Sequence, residues 1–462
     1  MLQAIARTIQ NTFNAYDIDC TVQEPPQTFQ TSTHVFFGLQ KGYAQKVAHI
    51  TGLRSELDEV LTAAVGQSVA VRFGLAPLSL SIPRPDARPQ NLAQVFARWS
   101  RTPVHVEGDR LLTLLGEGIN GRKVKMQLLD LASPNTPHVF VAGTTGSGKT
   151  NAIAQMVLAT AYLHTPAQVG MILIDPKGID RTGAALPELD GLPHLLRSTI
   201  TDMVEAVSVL RWLVAEMDRR VDTQDVTAMR LLMVVDELAD LVTVGGHVVN
   251  DAMARILAKG RGVGIHVIGA TQKPTADILG SVVKANFPVR FVGRVNGKID
   301  ANVAAQRPGS EAERSAGRGD FVLVTGDFRR VQAYHVPKAD VAGWVSAIRK
   351  RHAGTAGPVR LTTAEEGHIS QKQGGLVRSA GLDRSETADL LPFGPPQTAE
   401  DVAHVRRVYE AAGSYNETLR RLGWLPGNSK ATALEYVKSA LAADVEPARS
   451  AKLLRMYPRE AA

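Results

Sequence analysis

Cysteine is almost absent. The 462-residue chain carries one, Cys20, which excludes a disulfide framework and a cysteine-built zinc site and suggests a reducing, cytoplasmic setting. Aromatic residues make up only 5%, too few for a single-strand binder paved with stacking rings. No apolar run approaches the length that spans a bilayer, so no transmembrane helix is expected. The first residues, Met1-Leu2-Gln3-Ala4-Ile5-Ala6-Arg7, lack the basic opening and apolar core of a secretory signal. Neither sign of charge dominates, because 52 Lys and Arg against 45 Asp and Glu leave +7. An anionic partner is permitted but not required, and any binding stripe must be local. What is present is 44% hydrophobic residues, enough for a folded chain, over a length of about three domains.

The first hundred residues read as a small α+β unit. Thr33 to Leu39 alternates as a strand, Ala44 to Val65 has apolar residues at helical spacing, and Ser68 to Ile82 returns to strand-like alternation before Pro83-Arg84-Pro85. From about 104 the pattern changes. Short apolar runs recur between helical segments: Val139 to Ala142, Met171 to Ile174, Leu231 to Val235 and Ile265 to Ile268. Such runs, alternating with helices, indicate a parallel sheet covered on both faces, an α/β nucleotide-binding core. Residues from about 353 to 397 have little periodicity and read as a linker. Three short helices are expected beyond it, at Val402 to Ala412, Tyr415 to Leu422 and Ala431 to Leu441. The expected domains are 1–103, 104–350, a linker at 351–397, and 398–462.

The most specific motif is Gly143-Thr144-Thr145-Gly146-Ser147-Gly148-Lys149-Thr150, with a strand expected before it and a helix after it. Two glycines bracketing four residues let backbone N–H groups turn inward around phosphates, and the helix offers its positive end. Lys149 is expected to reach the β- and γ-phosphates, and Thr150 to ligate Mg²⁺. Leu231 to Val235 ends in Asp236-Glu237. Asp236 can hold a water of the Mg²⁺ shell, and Glu237 can polarise the water that attacks the γ-phosphate. A further strand ends in Thr271-Gln272. Gln272 either senses the γ-phosphate or is an ordinary solvated strand end.

The motifs resemble, in order, those of the FtsK/SpoIIIE family of double-stranded DNA translocases. They are the phosphate loop preceded by Pro137-His138, Ile174-Asp175-Pro176-Lys177, Val234 to Leu241, Arg261 with Gly264-Ile265-His266, Ala270 to Pro274, Val283 to Arg290, Lys298-Ile299-Asp300 and Gly317-Arg318-Gly319-Asp320. The resemblance covers about 104 to 345, and more loosely 30 to 100. It implies a RecA-like P-loop ATPase motor, a ring of commonly six subunits with duplex DNA through the centre, and ATP with Mg²⁺ bound between neighbours. Arg261 is the position carried over for the arginine placed in the next subunit's site, and Asp175 and Lys177 are expected near the site. Two departures stand out. Only Val221 to Arg230 separates the helix ending in Arg219-Arg220 from the acidic strand, and Asn302 stands where an arginine is often found.

The tail carries Arg406-Arg407, Arg420-Arg421, Lys430 and Lys438. It suggests a helix-turn-helix or winged-helix module with Ser429, Lys430, Thr432 and Lys438 as candidate DNA contacts, or else a small helical bundle for protein contacts. The reading favoured is an ATP-driven DNA pump acting in chromosome or plasmid segregation or transfer, without membrane insertion. The alternatives are an ATP-switched clamp that does not translocate, or a conjugative or packaging ATPase.

Overall fold

The computed structural model describes residues 2–23, 29–75, 78–84, 86–120, 123–176, 186–225, 229–272, 274, 286–358, 361 and 399–412. Two sheets organise them. The smaller is antiparallel and contains β1 (Cys20–Val22), β2 (Phe29–Gln30), β3 (His34–Lys41), β4 (Arg72–Leu75) and β5 (Leu78–Pro83), in the order β1-β3-β5-β4 with β2 also on β3. Helices α1 (Leu2–Ala15), α2 (Val47–Gly52) and α3 (Arg54–Val65) complete this body. Ile5, Ile9 and Phe13 of α1 meet Ile50, Leu57 and Leu61 in one core with Phe37 and Leu80 of the sheet. The single helix expected over Ala44 to Val65 is broken after Gly52. Leu53 leaves helical geometry (φ −77°, ψ 16°) and is itself buried, so the bend brings Ile50, Leu53, Leu57 and Leu61 to one core while Val60 stays exposed. The alternating stretch Ser68 to Ile82 is a pair of strands, β4 and β5, rather than one.

The larger sheet has nine strands: β6 (Leu112–Asn120), β7 (Lys123–Asp130), β8 (His138–Ala142), β9 (Val169–Ile174), β10 (Arg230–Val235), β11 (Ile265–Thr271), β12 (Val289–Val292), β13 (Asp320–Val324) and β14 (Phe328–Gln332). Their order is β7-β6-β14-β13-β12-β8-β11-β10-β9. The segment β12-β8-β11-β10-β9 is parallel; the apolar runs predict β8, β9, β10 and β11, and β12 joins them at the other edge of β8. The other four strands extend it as an antiparallel flank. Alternate side chains feed two cores. Val139 and Val141 point to the face covered by α4 (Leu92–Arg101), α5 (Lys149–Leu163) and α9 (Lys338–Arg351), whereas Phe140 and Ala142 point to the face covered by α6 (Met203–Asp222) and α7 (Leu238–Lys259). α8 (Lys298–Ala305) packs at the end of β12. Helix α5 is buried around most of its circumference, which explains why Ala152, Ala154, Ala159 and Ala161 recur there.

Helix α4 precedes residue 104 but belongs by packing to the larger body. Asn91 caps it by accepting the Ala93 N–H at 2.8 Å, and Leu92, Val95, Phe96 and Trp99 enter the larger core. There the Phe96 ring stacks on Tyr162 at 4.7 Å and meets Trp344 edge-on at 6.0 Å.

The two sheets join through a buried polar cluster. Arg330 of β14 forks onto Asp320 of β13 at 2.8 and 2.6 Å and also donates to Ser81 of β5 at 3.0 Å. Arg72 of β4 approaches Asp320 at 3.8 Å and donates to Ser315 and the Ser310 carbonyl, both at 3.1 Å. Burial and the Arg330 charge push His34 of β3 down to about 3, so it is neutral. Burial alone would raise the Asp320 carboxyl, but the adjoining Arg330 and Arg72 guanidinium groups carry it far below the usual carboxylate range.

Among the described residues no helix is long and apolar enough to cross a membrane. The first tail helix is present as α10 (Ala399–Ala412). The second and third tail helices, the candidate contacts Ser429, Lys430, Thr432 and Lys438, and Lys177 lie outside the described residues.

Candidate nucleotide site

The phosphate loop leaves the carboxyl end of β8 and enters α5 at Lys149. Gly148 caps that helix at φ +95°, and a Cβ there would stand 2.5 Å from the Gly319 nitrogen. Only glycine meets both conditions. A Cβ on Gly143 would likewise strike Ser147 Oγ at 2.5 Å. Both requirements show that the loop is tightly wound against its surroundings.

Register places the acidic strand beside it. Val235 of β10 pairs with Gly269 of β11, and Thr271 of β11 pairs with Ala142 of β8. The residues that follow these strands therefore converge at one end of the sheet, the usual place for ligands in an open α/β sheet. Lys149 Nζ donates to the Asp236 carbonyl at 2.7 Å and stands 3.4 Å from Asp236 Oδ1 and 3.6 Å from Glu237 Oε2. Thr150 Oγ1 lies 3.2 Å from Asp236 Oδ2. Glu237, the residue before α7, is 3% exposed, and its carboxylate accepts Thr271 Oγ1 at 2.6 Å and the Gln272 N–H at 3.1 Å. Gln272 also bridges back to the loop, where its Oε1 accepts Thr145 Oγ1 at 3.3 Å.

Lys149, Thr150, Asp236, Glu237 and Gln272 are thus brought together at one end of the sheet. Asp175 is buried at the end of β9, next to this group through the Asp236 N–H bond to the Ile174 carbonyl at 3.0 Å. Arg261 is not brought there. It lies exposed in the 3-10 turn Gly260–Val263 before β11, and its guanidinium donates to the Pro134 carbonyl at 3.0 Å. The length of β11, at roughly 3.3 Å per residue, puts it about 20 Å from Gln272.

The back of the loop is held by residues to which sequence reasoning gave no role. The Arg318 N–H donates to the Gly146 carbonyl at 2.9 Å, and the Gly319 N–H donates to the Ser147 carbonyl at 2.7 Å. The Arg294 carbonyl accepts both the Thr144 N–H at 2.8 Å and Thr144 Oγ1 at 3.0 Å. The block Gly317 to Asp320 was visible as a motif, but its contact with a loop some 170 residues earlier was not.

The donor set fits a nucleotide polyphosphate. The loop carbonyls of Gly146 and Ser147 are occupied from behind, a helix N-terminus lies at its base, and Lys149 supplies a positive charge. Buried Ser147 Oγ has no protein partner among the described residues. A hard cation fits between the Thr150 hydroxyl and the Asp236 carboxylate, an all-oxygen pair suited to Mg²⁺ with phosphate and water completing its shell.

The FtsK/SpoIIIE family model matches residues 94–228. The DNA translocase FtsK of Pseudomonas aeruginosa is 32% identical over 362 residues, covering 69% of this chain and 43% of the relative. That of Bradyrhizobium diazoefficiens is 28% identical over 444 residues, covering 85% and 50%. The chain therefore spans about half or less of the length of these relatives. Among solved structures, the pCW3 conjugation coupling protein TcpA is 16% identical with a TM-score of 0.48, covering 75% of this chain and 99% of that one. The type VII secretion ATPase EccC of Thermomonospora curvata is 22% identical with a TM-score of 0.45, covering 56% and 33%. With the motifs in the family's order and its relatives aligned along most of the sequence, the chain belongs to the FtsK/SpoIIIE family.

Proposed function

We propose that this chain hydrolyses ATP and uses the free energy to move double-stranded DNA, working as a homo-oligomeric ring, commonly of six, with the duplex through its centre. The observation that carries the hydrolytic part is Glu237. It is a buried carboxylate fixed by Thr271 and the Gln272 amide, 3.6 Å from Lys149. A base held this rigidly can orient a water and take its proton without first reorganising. Thr150 and Asp236 would hold Mg²⁺, which would neutralise charge on the phosphates. Lys149 orients the terminal phosphates, and Gln272, bonded to both Glu237 and Thr145, ties the base to the loop.

The DNA part is supported by the relatives, which are DNA translocases. In this reading residues 104–350 form the motor, with α4 packed onto it. Arg261, at the far end of the sheet from its own loop, is the cation presented to a neighbouring subunit's nucleotide. Such fingers contribute factors of about 10³–10⁵ in rate where they are known.

The test is ATP turnover with and without duplex DNA, paired with displacement of a third strand. Stimulation by DNA that weakens as salt rises, together with displacement, is expected. Glu237→Ala should bind ATP and fail to turn it over. Normal hydrolysis by that variant overturns the assignment of the base, and turnover without displacement makes the protein a clamp instead of a pump.

A further inference from the structure

The guanidinium of Arg294 has no role in the chemistry above, yet it borders the phosphate loop. Arg294 follows β12 by two residues, and its carbonyl locks its backbone to Thr144. Its side chain is exposed and makes no ion pair among the described residues. Nη2 stands 3.9 Å from where a Cβ on Gly146 would sit, and Cζ and Nε stand 3.6 and 3.7 Å from the same point on Gly317. The side chain thus runs along the loop, and a guanidinium of this kind is suited to phosphate oxygens.

Its side of the loop matters. β12 flanks β8 opposite to β11 and β10. Arg294 and the pair Glu237–Gln272 therefore stand on opposite flanks of the phosphate loop. In the reading proposed above, Glu237 marks the end where water attacks the terminal phosphate. The Arg294 flank then faces the phosphates nearer the nucleoside.

We propose that Arg294 grips the inner phosphates of the bound nucleotide, a contact made alike with ATP and ADP and unchanged during hydrolysis. This rests on the ATP-site reading. Binding that is equal in ground and transition states lowers KM without raising kcat, so Arg294 is a binding residue and not a sensor of hydrolysis. Its structural duty is separable, because the carbonyl that anchors Thr144 survives any substitution of the side chain.

The experiment measures steady-state hydrolysis by the full chain with Mg·ATP, with ADP as competitive inhibitor. Arg294→Ala should raise KM for ATP and Ki for ADP together by about 10- to 100-fold, the range for a lost charged hydrogen bond, with kcat held within about twofold. Arg294→Lys should recover part of the loss, and the thermal midpoint without nucleotide should match that of the unsubstituted protein. Lys149→Ala tests the underlying reading separately: if it binds nucleotide normally, the loop is not the site. A fall in kcat at unchanged KM, an effect confined to ATP, or no effect on either nucleotide overturns the role of Arg294.

Discussion

Asp320→Asn is the sharpest probe of how the two sheets are held together. Asparagine has nearly the volume of aspartate, so the substitution removes a charge and leaves no cavity. The carboxylate faces Arg330 at 2.6 Å and Arg72 at 3.8 Å, with its own side chain 2% exposed. At an effective dielectric constant of about 20, those separations correspond to gross attractions of ~6 and ~4 kcal/mol. Desolvation of the three groups offsets most of this, and removing one partner from a buried ionic cluster typically costs about 3–5 kcal/mol, because the remaining charges are left buried and uncompensated. The neutral amide would strand two guanidinium groups beside an uncharged His34. Urea unfolding at pH 7, followed by tryptophan fluorescence and by circular dichroism, should show a loss of that size. Adding Arg330→Met should recover part of it by removing one stranded cation. A loss below about 1 kcal/mol, the level of an exposed ion pair, would refute the idea that this cluster binds the sheets together.

Two further outcomes follow from buried groups. Burial holds His34 and His138 down to about 3 and His164, His194 and His266 down to about 4. The unfolded chain binds more protons than the folded one between those values and about 6.5, so the stabilisation is full above pH 6.5 and is lost as pH falls. Each histidine then accounts for about 2 kcal/mol at pH 5, and five together approach the whole stability of a typical domain. Denaturant midpoints should therefore drop steeply between pH 6.5 and 5, and a flat profile over that interval would contradict the burial of these rings. Thr271→Val deletes the 2.6 Å hydroxyl donor to Glu237 while keeping side-chain shape. Its kcat should fall about tenfold with ATP affinity retained, since a hydrogen bond to a buried charge is lost from the proposed base alone. A change in KM only would remove Thr271 from the hydrolytic apparatus.

Four of the five parallel strands were legible because they are covered on both faces, which leaves uninterrupted apolar runs such as Leu231 to Val235; the fifth, β12, was not, because Val289-Arg290-Phe291-Val292 places a charged residue inside a short strand. The antiparallel flank was not. β14 reads Phe328-Arg329-Arg330-Val331-Gln332, and β7 opens Lys123-Val124-Lys125, patterns that a strand shares with a polar loop. The phosphate loop and Asp236-Glu237 were readable as local motifs, and strand register alone then brought them together. Arg294 carried no such signal, since a single arginine after an apolar strand has many uses. Arg318 and Gly319 could be recognised as part of a motif, but their bonds to Gly146 and Ser147 depend on β13 lying two strands from β8, which no local pattern encodes. The break after Gly52 was hidden for a related reason. Helical spacing of Ile50, Leu53 and Leu57 is satisfied almost equally by one straight helix and by two short ones that turn onto the same core.

That dependence on register has a mechanical consequence. The phosphate loop is gripped on one flank by Gln272, which also holds Glu237, and from behind by Arg318 and Gly319. The residue after Gly319 is Asp320, the centre of the cluster reaching Arg72, Ser81 and His34 of the smaller sheet. Ser147 is thus one backbone bond and one peptide unit from the joint between the two bodies. A displacement of the loop large enough to break the 2.7 Å Gly319–Ser147 bond must either move the start of β13 or leave a carbonyl unpaired beside Gly148, where there is no room for even a methyl group. Moving β13 shifts Asp320 against Arg330, which is forked onto it at 2.8 and 2.6 Å, and against the Arg72 charge at 3.8 Å. Nucleotide occupancy and the seating of the smaller sheet therefore share one short stretch of chain, residues 317 to 320. Asp320→Asn should accordingly weaken nucleotide binding as well as stability, although Asp320 touches no part of the phosphate loop.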